Sequence, residues 1–122
     1  MLFDTYAWVE FFKNTAKGQK AAALLRANAC FTSVISLAEL SEWIEREGLD
    51  RKRLLGYVKA FSTVLEADVQ TMELAGILKV KKRVMHKDFG LVDAIILAAS
   101  RQHQLPVVTG DPHFEGENTM PL

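Results

Sequence analysis

The sequence predicts an α/β fold: a three-layer α/β/α sandwich around a central parallel sheet of four to five strands. Three observations carry this. Short apolar segments at Met1–Asp4, Cys30–Ser33 and Leu105–Thr109 are separated by stretches whose apolar residues recur at helical spacing. Parallel neighbours need crossover connections of this kind. The segment from Leu91 to His103 is apolar on nearly every side, as expected of a helix packed out of solvent. At 122 residues the chain can bury a real core but is too short for two, so one domain over residues 1–122 is expected.

Taken in order, Met1 to Asp4 reads as the first strand, and Thr5 to Lys13 as a helix with Trp8, Phe11 and Phe12 at helical spacing. Trp8 and Phe12 make one face of it, and Phe11 falls toward the surface. Lys17 to Asn28 is an Ala/Leu-rich helix. Cys30 to Ser33 is the second strand, and Ser36 opens a helix that Gly48 stops after Glu47. Asp50 caps the next helix, whose apolar positions are Leu54, Leu55, Val58, Phe61 and Leu65. A brief strand is expected near Glu66 to Asp68, then a helix from Thr71 to about Met85 and a loop at Lys87-Asp88-Phe89-Gly90. After the buried helix and the strand Leu105–Thr109, Asp111-Pro112 starts a short final helical turn. The closing stretch Glu115 to Leu122 is polar and carries Pro121, a poor strand interior, which puts a fifth strand in doubt.

Fifteen basic residues balance fifteen acidic ones, so no global field draws the chain to a polyanion, and any such binding must come from a local patch. Cys30 is the only cysteine; it has no internal partner, fits a reducing cytoplasm, and reads as a small core residue. No signal peptide is evident, and the longest apolar run, Ala94 to Ala99, is too short to span a bilayer. A soluble, cytoplasmic protein without a membrane segment is expected.

Four acids stand where a carboxylate is costly: Asp4, Glu39, Asp93 and Asp111. Ionised carboxylates are rarely buried unless paired or bound to metal. Each has a plain structural explanation. Asp4 and Asp111 suit helix caps, Glu39 suits the edge of a packed stripe between Ile35 and Trp43, and Asp93 suits the first turn of its helix. Caps do not account for the joint placement, with two acids at the carboxyl ends of parallel strands, where open α/β sheets bind ligands. One site for a hard cation is the economical reading. Asp88 is a fifth candidate, though its Asp-Phe-Gly setting favours a turn. Glu10, Glu42 and Glu45 read as solvated, and His86, His103 and His113 share no spacing and read as helix-end or surface residues.

Four stretches, Leu-Phe-Asp-Thr-Tyr-Ala-Trp-Val-Glu-Phe-Phe, Ser-Val-Ile-Ser-Leu-Ala-Glu-Leu, Leu-Val-Asp-Ala-Ile-Ile-Leu-Ala-Ala-Ser and Val-Val-Thr-Gly-Asp-Pro-His-Phe, span residues 2 to 114. In that order they resemble the PIN domain, a nuclease fold, and most closely the VapC-type toxins of toxin–antitoxin pairs. The resemblance implies a PIN-like sandwich in which Asp4, Glu39, Asp93 and Asp111 surround Mg²⁺ or Mn²⁺. It implies a positioning role for Thr109, two residues before the last acid. Asp4 and Asp93 would be the safest metal ligands, Asp111 would hold the same metal or a second, and Glu39 would orient the attacking water. Magnesium takes oxygen ligands and keeps several waters, so a few carboxylates suffice. Such a metal polarises a phosphodiester and activates water, so no histidine or cysteine nucleophile is required.

The same resemblance implies an endoribonuclease acting on RNA, with tRNA and rRNA as candidate substrates, that inhibits translation and growth. It implies a homodimer and a cognate antitoxin whose segment fills an apolar groove beside the site, with Phe11, Leu40 and Trp43 as groove candidates. The one dense basic patch, Lys79-Val80-Lys81-Lys82-Arg83 with His86 and Lys87, reads as a solvated helix face or as a phosphate-contacting surface. Other classes stay open: a catalytically weak PIN-like module binding RNA or a partner, or a PIN nuclease of RNA processing. A receiver or an aspartate-nucleophile phosphatase fits poorly, because Tyr6 stands where the phosphatase needs a second aspartate.

Overall fold

Leu2 and Phe3 form the innermost strand, β1, and the sheet is built outward from them in the order β3-β2-β1-β4-β5, every neighbouring pair parallel. The structure is a computed structural model describing residues 1–122. After β1 (Leu2–Phe3) come α1 (Thr5–Lys13), α2 (Ala16–Ala27), β2 (Phe31–Ser33), α3 (Val34–Glu47) and α4 (Arg51–Phe61). They are followed by β3 (Thr63–Leu65), α5 (Val69–Lys82), α6 (Leu91–His103), β4 (Val107–Thr109), a 3₁₀ turn (Pro112–Phe114) and β5 (Thr119–Pro121). The chain winds outward from β1 through β2 to β3, then returns to the other side of β1 for β4 and β5. That reversal opens a crevice at the carboxyl ends of β1 and β4.

Alternation along the strands makes the three layers. Leu2 and Val107 face a core with α5 and α6, where Leu78, Phe89 and Phe114 are buried. Phe3 and Val108 face the opposite core of Trp8, Ala21, Leu40, Ile44 and Val58, contributed by α1 to α4. Trp8 is wholly buried, and its indole N–H donates to Thr32 Oγ1 at 3.0 Å, which satisfies the one polar atom it takes inside. Every residue of α6 from Ala94 to Ser100 is buried, as its all-round apolarity requires. Side-chain caps start α1, α2, α4 and α5: Asp4, Thr15, Asp50 and Asp68 accept from Ala7, Gly18, Arg53 and Thr71 N–H groups. Such caps contribute about 1 kcal/mol each.

Three expectations need correction. The third strand lies at Thr63–Leu65, not Glu66–Asp68: α4 ends at Phe61, Ser62 turns its hydroxyl back onto Val58 O at 2.7 Å, and Leu65 belongs to the strand. Asp68 is then free to cap α5, which starts at Val69 and ends at Lys82. A fifth strand does form. Asn118 O and Leu122 N face β4, receiving from Val107 N at 2.9 Å and donating to Thr109 O at 2.9 Å. With period two, Pro121 turns its missing N–H away from the sheet, so proline is tolerated on this edge. Leu40 is fully buried in the core and cannot line a surface groove. No helix is long and apolar enough to cross a membrane.

Candidate active site

Each of the four suspected acids is placed by a different element at the crevice. Asp4 follows β1 directly, is 3% exposed, and its Oδ1 accepts the Ala7 N–H at 2.8 Å. Burial pushes its carboxyl up to about 7, and the nearby Asp111 and Asp93 carboxylates push the same way. Hydrogen bonds from the Thr109 hydroxyl and the Ala7 N–H offset part of that rise. Thr109, at the end of β4, is buried and its Oγ1 also accepts the Asp111 N–H at 2.9 Å, so one hydroxyl ties Asp4 to Asp111.

Asp93 sits in the first turn of α6, half-buried. Burial raises its pKa first and Asp111 second, while the Gly90 N–H and His113 act against the rise. Glu39 projects from the second turn of α3, where Thr5 Oγ1 donates to its Oε1 at 2.5 Å. Burial again raises its pKa, the Thr5 hydrogen bond lowers it, and Asp93 adds repulsion. Asp111 follows β4 and caps the 3₁₀ turn, accepting the His113 N–H on Oδ1 at 2.9 Å. The fold thus brings all four acids within one another's field, Glu39 reaching the group through Asp93. Asp4 and Asp111 are also helix caps, so the structural and the site readings hold together. Asp88 is exposed and takes no part, and Glu42 is spent on Arg46 at 3.4 Å on the surface.

His113 corrects the expectation that the histidines lie at helix ends or on the surface. Its Nδ1 stands 3.3 Å from Asp111 Oδ1 and 3.4 Å from Asp93 Oδ2, yet neither contact is aligned as a hydrogen bond. The atom is shielded from solvent and has no well-aligned hydrogen bond, a state buried polar atoms rarely keep. Ligand atoms of Asp93, Asp111 and His113 lie within 4.8 Å of one another. The available sequence signal was the Asp111-Pro112 turn, since a proline at the first helical position folds the second residue back over the cap. Ser36 Oγ, on the face of α3 that carries Glu39, is the other buried side-chain atom left without a partner.

No lysine or arginine pairs with any of the four acids. The nearest dense positive charge is partly occupied: Lys82 pairs with Glu117 at 3.4 Å, and Arg83 Nε donates to Phe89 O at 2.9 Å. His86 brings the end of this patch to the site, its ring 6.1 Å from that of His113. An oxygen-rich donor set with one imidazole and no fixed counter-cation suits a divalent cation. Away from the acids, a cleft of about 680 Å³ runs between α1, α2 and α4, lined by Phe11, Phe12, Ala22, Leu54 and Tyr57, with Arg26 and Arg53 also in its lining. Trp43 lies apart from it, stacked on Phe12 beside a second hollow with Lys13 and Leu49.

Comparison with known proteins agrees with the fold. A toxin–antitoxin complex from Klebsiella pneumoniae is similar with a TM-score of 0.76 at 20% identity, covering 94% of this chain and 90% of that one. VapC20 of Mycobacterium tuberculosis, described as a toxin that cleaves the sarcin–ricin loop, gives a TM-score of 0.76 at 19% identity over 99% of this chain and 98% of its own. VapBC2 of Rickettsia felis, bound to promoter DNA, gives 0.76 at 15% identity over 99% and 97%. Curated protein sequences yield no match. The family model for the PIN domain matches residues 1–116, taking in all four acids and His113, and the chain therefore belongs to the PIN-domain family.

Proposed function

We propose that this chain is a Mg²⁺- or Mn²⁺-dependent endoribonuclease and the toxin of a toxin–antitoxin pair. The observation that carries the reading is the convergence of carboxylates that have no lysine or arginine partner on the solvent-shielded Nδ1 of His113. Asp93 and Asp111 would hold the cation, and Asp4 backs them from the buried side. Glu39, its position fixed by Thr5, orients the attacking water, and Thr109 keeps Asp4 and Asp111 in register. A divalent cation bound there supplies positive charge to the scissile phosphodiester and lowers the cost of deprotonating water.

RNA is the substrate class. The likeness to a toxin described as cleaving the sarcin–ricin loop supports it, as does the His86 end of the basic patch, whose ring lies 6.1 Å from that of His113. Water as nucleophile leaves a 5′-phosphate and does not need the ribose 2′-hydroxyl. The partner is an antitoxin segment with apolar residues for the α1–α2–α4 cleft and acidic residues for Arg26 and Arg53. The similarity to toxin–antitoxin complexes supports such a partner. Two copies of the chain form the working unit, in the cytoplasm, where Cys30 stays reduced.

The test is RNA cleavage with Mg²⁺ or Mn²⁺. Asp4→Asn and Asp93→Asn are each expected to lower the rate at least about a hundredfold, as loss of a charge at a metal centre does, with circular dichroism unchanged. Cleavage by either variant that survives EDTA would sink the metal-nuclease reading. RNA binding by the wild type without cleavage would instead make the chain a binding module of the same family.

A further inference from the structure

We infer that His113 is itself a ligand of the divalent cation and gives the site a preference for Mn²⁺ over Mg²⁺. The inference rests on the metal-site reading above and adds a donor that the four acids do not provide. His113 Nδ1 lies between Asp93 Oδ2 and Asp111 Oδ1, at 3.4 and 3.3 Å, closed off from solvent. From that nitrogen the ring has only these two carboxylate contacts, neither well aligned as a hydrogen bond. Its backbone N–H is fixed on Asp111 Oδ1 at 2.9 Å, and its faces and edges meet Phe89 and His86, each 6.1 Å away between ring centroids. The turn therefore aims Nδ1 at the two carboxylates. A buried nitrogen with no well-aligned partner costs up to about 1–3 kcal/mol, and an occupant shared with the two carboxylates would satisfy it.

Two occupants fit a gap of this kind, a cation or a proton, and the donor chemistry favours the cation. Magnesium selects hard oxygen donors and holds its waters, so an imidazole adds little to its affinity. Manganese accepts carboxylate oxygen and also binds imidazole nitrogen better, as do the later first-row metals. Two carboxylates and one imidazole thus discriminate between ions that four carboxylates treat alike. Pro112 is part of the device, because it sets the turn that brings His113 back over Asp111.

The experiment uses the full chain with Mn²⁺ and Mg²⁺ as probes. Pulsed electron paramagnetic resonance of bound Mn²⁺ reads nitrogen ligation directly, and calorimetry gives both affinities. His113→Phe keeps the ring contacts to Phe89 and His86, and His113→Asn keeps a polar group; circular dichroism checks both folds. The wild type is expected to show ¹⁴N coupling to Mn²⁺ that both variants lose. The variants should bind Mn²⁺ about tenfold more weakly while Mg²⁺ affinity moves less than about twofold. Mn²⁺ bound without ¹⁴N coupling, or an unchanged Mn²⁺/Mg²⁺ affinity ratio, overturns the inference while leaving the metal site standing; Nδ1 would then carry the shared proton. Failure of the wild type to bind either ion at millimolar concentration overturns the metal-site reading and the inference with it.

Discussion

Asp4 caps α1 and lies almost wholly out of solvent, and these two circumstances pull its carboxyl in opposite directions. The cap needs an oxygen acceptor, whereas burial beside Asp93 and Asp111 penalises the charge and raises the pKa from 3.8 to about 7. Between those two values the folded chain holds a proton that the unfolded chain has released. Metal-free stability should therefore be fully retained near and below the unfolded value, fall as pH rises through the window, and level off above about 7. The amount is on the order of a few kcal/mol. Asp4→Asn keeps the capping oxygen and removes the charge. It should melt roughly 5–15 °C above the metal-free wild type at about pH 8, with the advantage shrinking to nothing near pH 4. A melting temperature of Asp4→Asn below the wild type at the alkaline end would show that the cap, not the charge, governs this position. The acids were legible in the sequence because a carboxylate inside Leu-Val-Asp-Ala-Ile-Ile contradicts its surroundings. His113 was not, because a histidine after proline in a polar turn contradicts nothing until the turn is folded against α6.

At the scale of elements, α1 and α2 approach so closely that a Cβ on Gly18 would stand 1.9 Å from Glu10 O. That obstacle is helix backbone, held besides by the Thr15 hydroxyl on the Glu10 carboxylate, so it cannot swing aside as a side chain would. Gly18→Ala should lower stability by at least about 2 kcal/mol in urea unfolding, from overpacking, and should widen the cleft lined by Phe11, Phe12 and Ala22. A change below about 0.5 kcal/mol, as surface positions give, would mean that the two helices can separate freely. The helices were readable because their apolar spacing, caps and stop signals agree: Asp50 before α4, Gly48 after α3, Gly90 before α6. The short strands were less so. Ser62-Thr63-Val64-Leu65 continues the helical period of α4 through Leu65, and only pairing with Phe31, Thr32 and Ser33 makes it a strand. The same holds for Thr119-Met120-Pro121, whose polarity suits an outer edge and whose strand character comes wholly from β4. Tertiary pairing decides such three-residue segments, and composition does not.

For the whole molecule, the outer face of α5 is the surface left unexplained by core, site or cleft. Val69, Met72, Ile77 and Val80 are 74%, 45%, 53% and 73% exposed, and Val84 and Met85 extend the same strip beyond the helix. Contiguous apolar strips of this kind mark interaction surfaces. The charges along the helix suit a second copy of it. Asp68 and Glu73 lie in its first half, and Lys79, Lys81 and Lys82 in its last. A second α5 laid antiparallel across the first, centred on Gly76, sets Glu73 of one copy beside Lys79 of the other and Met72 against Val80. A Cβ at Gly76 would meet nothing within the chain, so the helices are free to approach closely there. The dimer proposed above is therefore expected to place both α5 helices at its two-fold centre. Light scattering after size exclusion should give twice the chain mass at micromolar concentration, and Val80→Glu should give a monomer with unchanged helicity, since Val80 makes no core contact to lose. Glu73→Lys should weaken the dimer by several-fold, as like charges brought together do, and adding Lys79→Glu should restore it. A monomeric wild type, or a double charge reversal no better than the single one, would show that α5 does not pack on itself in this way.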